Sequence, residues 1–383
     1  MTTVIEKQIP LLDLKAQHKT IREQVLAELV RVVDSQKFIL GEDVKKFEAE
    51  IAAYCGTKFA VGCASGSDAL ILALMALEIG PGDEVLTTPY TFFATAGAIS
   101  RVGAAPVFVD VEEDTFNLNA GEIEGVLAAH PKVRAIMPVH LFGGCADMDT
   151  ILKIAGERGI PVIEDAAQAI GAEYKGRRAG SIGRIGAFSF FPSKNLGGYG
   201  DGGIVTTDDQ SLAERLTALR VHGRTAKYFH QWIGVNSRLD ALQAAVLAVK
   251  FRYLDGWTAG RQKNADRYRA QLAPLSVAVV LPHPRDYQTR HIYNQFAIRS
   301  ARRDELQTHL RKHGIGSEVY YPLPLHLQPC YAGLGYRKGD FPVSERLAEE
   351  SLALPIHSEL EAEDIDYICD AIRAFHACES SRL

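Results

Sequence analysis

The chain has 383 residues, 47% of them hydrophobic and 23% charged, and a net charge of −5. That balance belongs to a soluble globular protein with room for one large domain and a smaller one. It argues against a nucleic-acid surface, which would be basic, and no apolar run is long enough to cross a bilayer.

The elements follow in chain order. After Pro10, Ile21, Val25, Leu29 and Val32 recur at three- and four-residue spacing, which predicts a helix up to Ser35. A second amphipathic helix follows LGED and carries Val44, Phe47 and Ile51. Strand-like runs then alternate with helical stretches: FAVGCAS, DEVLTTP, APVFVDV, VRAIMPVH and IPVIEDAA, with GAFSFF and GGIVTTDD as further strands. Short buried strands separated by helices predict an α/β fold, a mostly parallel sheet covered by helices. SRLDALQAAVLAVKFRYLDGW reads as one long helix leading out of the large domain. Beyond about Trp257 come a charged helix, the strand IYNQFAIR, the helix RDELQTHLRKHG, the strand IGSEVYY and two terminal helices. The expected division is residues 1–255 as amino-terminal segment and large domain, and 256–383 as a small α+β domain.

The amino-terminal stretch MTTVIEKQIPLLDLKAQ has no long apolar core and no small-residue cleavage site, so it does not read as a secretion signal. Cys55, Cys63, Cys145, Cys330, Cys369 and Cys378 form no C-x-x-C pair and sit at no zinc spacing. They read as scattered thiols, with no metal site and the cytoplasm as the compartment.

Chemistry concentrates in FSFFPSKNLGGYGDGG, where Lys194 stands between a strand-like run and a cluster of glycines. Gly198, Gly200 and Gly203 match G-x-G-x-x-G, but that dinucleotide fingerprint must follow a strand and open a helix. Here a loop precedes it and a strand follows, so a nicotinamide site is rejected. Ser65, Gly66 and Ser67 lie between a strand and an apolar helix, where free N–H groups suit either a phosphate or an ordinary serine cap. Asp165 ends an apolar strand, at the edge where α/β sheets bind ligands; it is a ligand partner or a helix cap. Gln168 follows three residues on. Phe92 is core or a flat plate for a ring. Lys194, once buried, has a neutral amine available for a Schiff base.

Together these residues are what pyridoxal phosphate needs. Lys194 would hold its aldehyde, and Asp165 would pair with its protonated ring nitrogen. At about 4 Å and an effective dielectric of 20, that pair attracts by roughly 4 kcal/mol, about three pK units. Ser65, Gly66, Ser67 and Ser189 would hold the phosphate and Phe92 would stack on the ring.

At these residues the chain resembles the fold-type I pyridoxal-phosphate enzymes, and within them the DegT/DnrJ/EryC1/StrS family of nucleotide-sugar aminotransferases. The likeness runs through KFILGEDVKKFEAEIAAYCG, ASGSDAL, GPGDEV, PYTFFATAGAI, PVFVDV, PVHLFGG, PVIEDAAQAIGA, FSFFPSKNLGGYGDGG, VNSRLDALQAAVL and YYPLPLHLQP. The resemblance implies catalytic roles for Lys194 and Asp165. It also implies that Asn236 reaches the cofactor phosphate of a neighbouring subunit, making a homodimer with shared sites. Arg238, Tyr320, Tyr321 and His326 are the residues it assigns to substrate. Tyr320 stands where several relatives have histidine, which leaves sugar identity open. The implied reaction is two-stage: L-glutamate leaves as 2-oxoglutarate, then a dTDP- or UDP-linked keto sugar, 3-keto favoured over 4-keto, takes the amino group. Lys194 would hold the cofactor and shuttle the proton. Alternatives are a sugar dehydratase of the same fold, whose relatives carry histidine in place of the lysine, and a non-catalytic regulatory protein that binds the cofactor.

Overall fold

The computed structural model describes residues 7–276 and 278–380. The first six residues of the segment read for a secretion signal, and the side chain of Cys378, lie outside the described residues. None of the described helices is long and apolar enough to cross a membrane.

Helix α1 (Leu14–Ser35) starts at Asp13, whose Oδ1 accepts the Ala16 N–H at 2.8 Å. Its Ile21 and Val25 pack on Val246 and Val249. Next come α2 (Glu42–Cys55), β1 (Phe59–Cys63), α3 (Gly66–Ala76), β2 (Glu84–Thr87), α4 (Ala94–Arg101) and β3 (Ala105–Phe108). They are followed by α5 (Ile123–Ala129), β4 (Val133–Ile136), α6 (Met148–Arg158) and β5 (Ile163–Asp165). A two-residue hairpin, β6 (Glu173–Tyr174) and β7 (Arg177–Arg178), leads to β8 (Ile185–Ser189), β9 (Gly203–Thr207) and α7 (Gln210–Leu219). An exposed hairpin, β10 (Arg224–Ala226) and β11 (Phe229–His230), precedes α8 (Ala241–Phe251) and α9 (Leu254–Leu272). The chain ends with β12 (Phe296–Arg299), α10 (Arg303–Lys312), α11 (Pro342–Glu350), β13 (Ser351–Leu354) and α12 (Ala362–Ser380).

Seven strands form the large sheet in the order β1-β9-β8-β5-β4-β2-β3. The β5 and β4 segments join through Asp165 N–H to Pro138 O at 2.9 Å and His140 N–H to Asp165 O at 3.0 Å. The sheet is parallel except for β9, which runs against both its neighbours. The connection explains the reversal. Parallel neighbours need a long crossover, whereas residues 190–202 link β8 to β9 with no helix. That linking loop carries Lys194.

Two apolar cores lie on the sheet. One gathers side chains of α2, α5, α6 and α8, the other those of α3, α4 and α7. Helix α3 is apolar nearly all round because sheet, α4 and α7 enclose it. A third core packs α9, α10 and α12 on the β12–β13 pair.

Four expectations need correction. The long helix from Ser237 is two helices that break at Arg252–Tyr253, so that Leu254 enters the large core while Ala265, Tyr268 and Leu272 enter the small one. IGSEVYY is not a strand; it makes two isolated bridges, Ile315 to Ile9 and Glu318 to Ala353. β13 was hidden between the terminal helices, in an apolar stretch too short to separate from a helix end. The amino-terminal segment does not belong wholly with the large unit. Ile9 donates to and accepts from residues 314 and 316 at 2.9 and 2.8 Å and sits in the small core.

The two units are tied by Asp110, just past β3. Its Oδ1 accepts from the N–H of Ser344 at 2.9 Å and the hydroxyl of Ser344 at 2.6 Å, and its Oδ2 accepts from the N–H of Val343 at 2.9 Å. This buried carboxylate caps the positive end of α11 from across the interface. Asp110→Ala is expected to cost about 2–3 kcal/mol, since it strands buried donors as well as removing a cap. The lowered urea midpoint of unfolding would show it; an unchanged midpoint would rule the latch out.

Candidate active site

A cavity of about 320 Å³ opens at the carboxyl ends of the strands. It is lined by Ser65, Gly66, Ser67, Phe92, Asp165, Gln168, Ser189, Lys194, Tyr320 and Tyr321 of the expected residues.

One wall is the start of α3. Ser65 is the helix cap, its Oγ accepting the Asp68 N–H at 3.1 Å. The cap and the phosphate readings are therefore compatible, because the cap leaves the first helical N–H groups unbonded and backed by the helix dipole. Gly66 allows this wall to meet β8. A Cβ on Gly66 would stand 2.5 Å from the Ser189 Cβ and 2.9 Å from its Oγ. Gly66→Ala is expected to cost about 1–3 kcal/mol through overpacking. It should also weaken retention of a phosphorylated ligand by at least ~10-fold, read by dialysis against a phosphate-bearing probe.

Asp165 is 4% exposed. Its Oδ2 accepts from Thr95 Oγ1 at 2.7 Å and its Oδ1 from the Ala167 N–H at 3.2 Å. Thr95 in turn meets Thr91 Oγ1 at 3.0 Å. Burial raises the Asp165 pKa above the ordinary carboxylate value, against the hydrogen bonds from Thr95 and Ala167 and the charge of Lys194. The amine of Lys194 is enclosed, while the residue as a whole keeps intermediate exposure. Burial lowers its pKa to about 8, only partly opposed by Asp165. Burial thus outweighs mutual attraction for both groups. The pocket is set up for a further cation beside Asp165 and for a neutral amine at Lys194.

Behind Asp165, Glu164 is wholly buried and accepts from the N–H groups of Gly180, Ile182 and Gly183 at 2.8, 2.7 and 2.6 Å. Its Oε2 also lies 3.0 Å from His140 Nε2, and His140 Nδ1 accepts the Ala146 N–H at 3.2 Å. This network fixes the end of β5, and with it the position of Asp165.

Gln168 donates to the Tyr321 hydroxyl at 2.9 Å, and its Oε1 is buried without a partner. Phe92 is 58% exposed and tilted 42° against Tyr321, centroids 6.2 Å apart, so it is not core. An orphaned acceptor, an unpacked aromatic face, an amine available in neutral form, a carboxylate wanting a cation and a helix start together fit pyridoxal phosphate.

Three expected residues do not reach this cavity. Asn236 is exposed and Arg238 partly so, and neither lines the pocket of its own chain. Ser237 between them is anchored to α3 by its hydroxyl, 2.7 Å from Asp68 Oδ2. His326 is buried 3.0 Å from Glu345 Oε1 and edge-on to Phe341, within the 325–341 segment. Thr95, Asp201, Ser193 and Gln295 line the cavity without having been read from sequence.

The chain matches the DegT/DnrJ/EryC1/StrS aminotransferase family over residues 19–373. It is 49% identical to a "pleiotropic regulatory protein" of Geobacillus stearothermophilus, over 96% of this chain and 98% of that one. A dTDP-3-amino-3,4,6-trideoxy-α-D-glucose transaminase of Streptomyces venezuelae is 45% identical over 96% of each chain. A UDP-N-acetyl-3-dehydro-α-D-glucosamine 3-aminotransferase of Acidithiobacillus ferrooxidans is 45% identical over 95% of this chain and 97% of that one. The structure of S. venezuelae DesV, solved with a ketimine intermediate, superposes with a TM-score of 0.93 at 45% identity, covering 96% of this chain and 98% of that one.

Proposed function

The chain belongs to the DegT/DnrJ/EryC1/StrS aminotransferase family, and from that premise we propose that it moves the amino group of L-glutamate to the ketone of a 3-keto sugar carried on dTDP or UDP. It is a pyridoxal-phosphate-dependent nucleotide-sugar aminotransferase. The observation that carries the proposal is the enclosure of the Lys194 amine and the Asp165 carboxylate in one cavity with the start of α3.

The cofactor, when bound, supplies an aldehyde that condenses with amines and a ring that accepts electrons from the adjacent carbon. Lys194 would hold the cofactor, and its free amine would be the base that takes the donor's Cα proton. The same amine returns a proton to the sugar carbon in the second stage. Asp165 would be the carboxylate partner of the ring cation. Ser65, Gly66, Ser67 and Ser189 would hold the phosphate, and Phe92 and Gln168 would bind the ring.

Asn236 and Arg238 are proposed to serve the cavity of a second copy. The hairpin before them supports a dimer: Tyr228 is 83% exposed and Ile233 93%. The five described cysteines are unpaired, which fits a reducing compartment such as the cytoplasm.

The test is to load the pyridoxamine form and offer 3-keto and 4-keto sugars on dTDP and UDP, locating nitrogen in the product by mass spectrometry and NMR. Amino transfer at C3 is the expected result. A purely regulatory role, as in the name of the G. stearothermophilus relative, requires that glutamate leave the cofactor spectrum unchanged. A dehydratase would consume the sugar without taking nitrogen from glutamate.

A further inference from the structure

Beside Thr91, Thr95, Ser193 and Asp201, the cavity's polar lining is of two kinds. Lys194, Asp165, Ser189 and the start of α3 are the charged and phosphate-suited groups already assigned. Gln168, Tyr320, Tyr321 and Gln295 are neutral. Gln168 and Tyr321 bond to each other. Gln295 has no such engagement, and its Oε1 is buried with no hydrogen-bond partner.

Its position relative to the reacting amine is fixed. The neighbouring Asn294 donates from Nδ2 to Asn195 Oδ1 at 2.7 Å, and Asn195 Nδ2 donates to Ile292 O at 3.0 Å. Asn195 is the residue after Lys194. The Asn294 N–H donates to Phe142 O at 2.9 Å, and buried Arg261 donates to Tyr293 O at 2.9 Å. Segment 292–295 is therefore locked to the Lys194 loop, and Gln295 is held in place before any ligand arrives.

Among the lining residues of its own chain Lys194 is the one cation. A carboxylate of the amino donor calls for a cation, which an amide does not provide. A sugar hydroxyl both donates and accepts, and a buried amide oxygen without a partner is its complement.

We propose that Gln295 is a specificity-determining residue that reads a ring hydroxyl next to the ketone of the sugar acceptor. The proposal rests on the amino-transfer reading above and narrows its substrate to sugars keeping that hydroxyl. A site built to bond a hydroxyl rejects the analogue lacking it, because the buried acceptor is then left unpaired.

The test compares wild type with Gln295→Met on dTDP-linked 3-keto-6-deoxyglucose and on its 2-deoxy and 4-deoxy counterparts. The glutamate half-reaction is followed separately by the cofactor spectrum. Calorimetry on the pyridoxamine form measures binding of the corresponding 3-amino sugars. Wild type is expected to favour the parent sugar over one deoxy analogue by about 10–100-fold in kcat/KM. Gln295→Met is expected to raise KM for the parent, flatten that preference in both rate and Kd, and leave the glutamate half-reaction unchanged. An unchanged glutamate half-reaction also shows that the variant folds and holds its cofactor. Equal use of all three sugars by wild type, a preference that survives in Gln295→Met, or parallel slowing of both half-reactions would overturn the proposal. Wild type that accepts nitrogen from glutamate yet passes it to no sugar would overturn the functional reading itself, and this proposal with it.

Discussion

Lys194→Ala is expected to lower turnover by at least ~10³-fold and to abolish the borohydride-reducible link between cofactor and chain. Two roles vanish together. In the proposed function the side chain is both the covalent holder and the proton carrier, and the second role alone contributes about 10²–10⁴-fold in enzymes of general acid–base type. Thr95 and Gln168 lie in the cavity as well, but neither supplies a basic amine, and Lys194 is the one cation lining it. The environment of the amine makes a further demand. Burial holds its pKa at about 8, so near pH 7 only about a tenth of it is neutral. The rate at which cofactor-free protein takes up the aldehyde should therefore rise about tenfold from pH 7 to pH 9 and level off above 8. Mass spectrometry of the reduced digest and stopped-flow absorbance at several pH values check the two claims. A variant with full turnover, or an adduct on another peptide, would contradict the first; an uptake rate flat across that range would contradict the second.

Much of this was visible in the sequence, for a physical reason. The strands of the large sheet are buried on both faces, so each is a short apolar run bounded by turn residues, and the helices between them are long enough to show their period. Asp165 could be placed at a strand end, and Lys194 in the loop after a strand, by that pattern alone. What stayed hidden depends on tertiary context. The reversal of β9 follows from a missing crossover, which has no local signature. The break at Arg252–Tyr253 has no glycine or proline to mark it; it exists because Leu254 and Tyr268 serve different cores. Ile9 looks like a tail residue until residues 314 and 316 pair with it. In the site, Gln295 stands more than a hundred residues from Lys194, just before β12, and nothing local distinguishes its amide from a surface one. The burial of His326 against Glu345 and Phe341 likewise depends on a distant helix, α11, and has no local signature.

Asp165→Asn is expected to separate stability from activity in opposite directions. In the cofactor-free chain the carboxylate is buried, and burial raises its pKa despite the hydrogen bonds it accepts. A folded-state pKa above the unfolded one means the folded chain binds the proton more readily over that interval. Stability from this group is then full below the unfolded value near 3.9 and falls as pH rises through the folded value. At neutral pH the ionised side chain is a cost to the empty fold. Asparagine removes the charge and keeps the shape. Its carbonyl can accept from the Ala167 N–H, and its amide can donate to Thr95, whose own proton can turn to Thr91 3.0 Å away. The cofactor-free variant should therefore melt at the same temperature as wild type or higher at pH 7, with the difference shrinking toward pH 4. Turnover should fall by about 10²–10³-fold, because a partner worth roughly 4 kcal/mol to a nearby cation is lost. Calorimetric melting of both cofactor-free proteins, beside kcat/KM for the loaded ones, reads both arms. A variant that melts well below wild type at pH 7 would make Asp165 a structural residue. One that keeps full turnover would show that no cation is stabilised there.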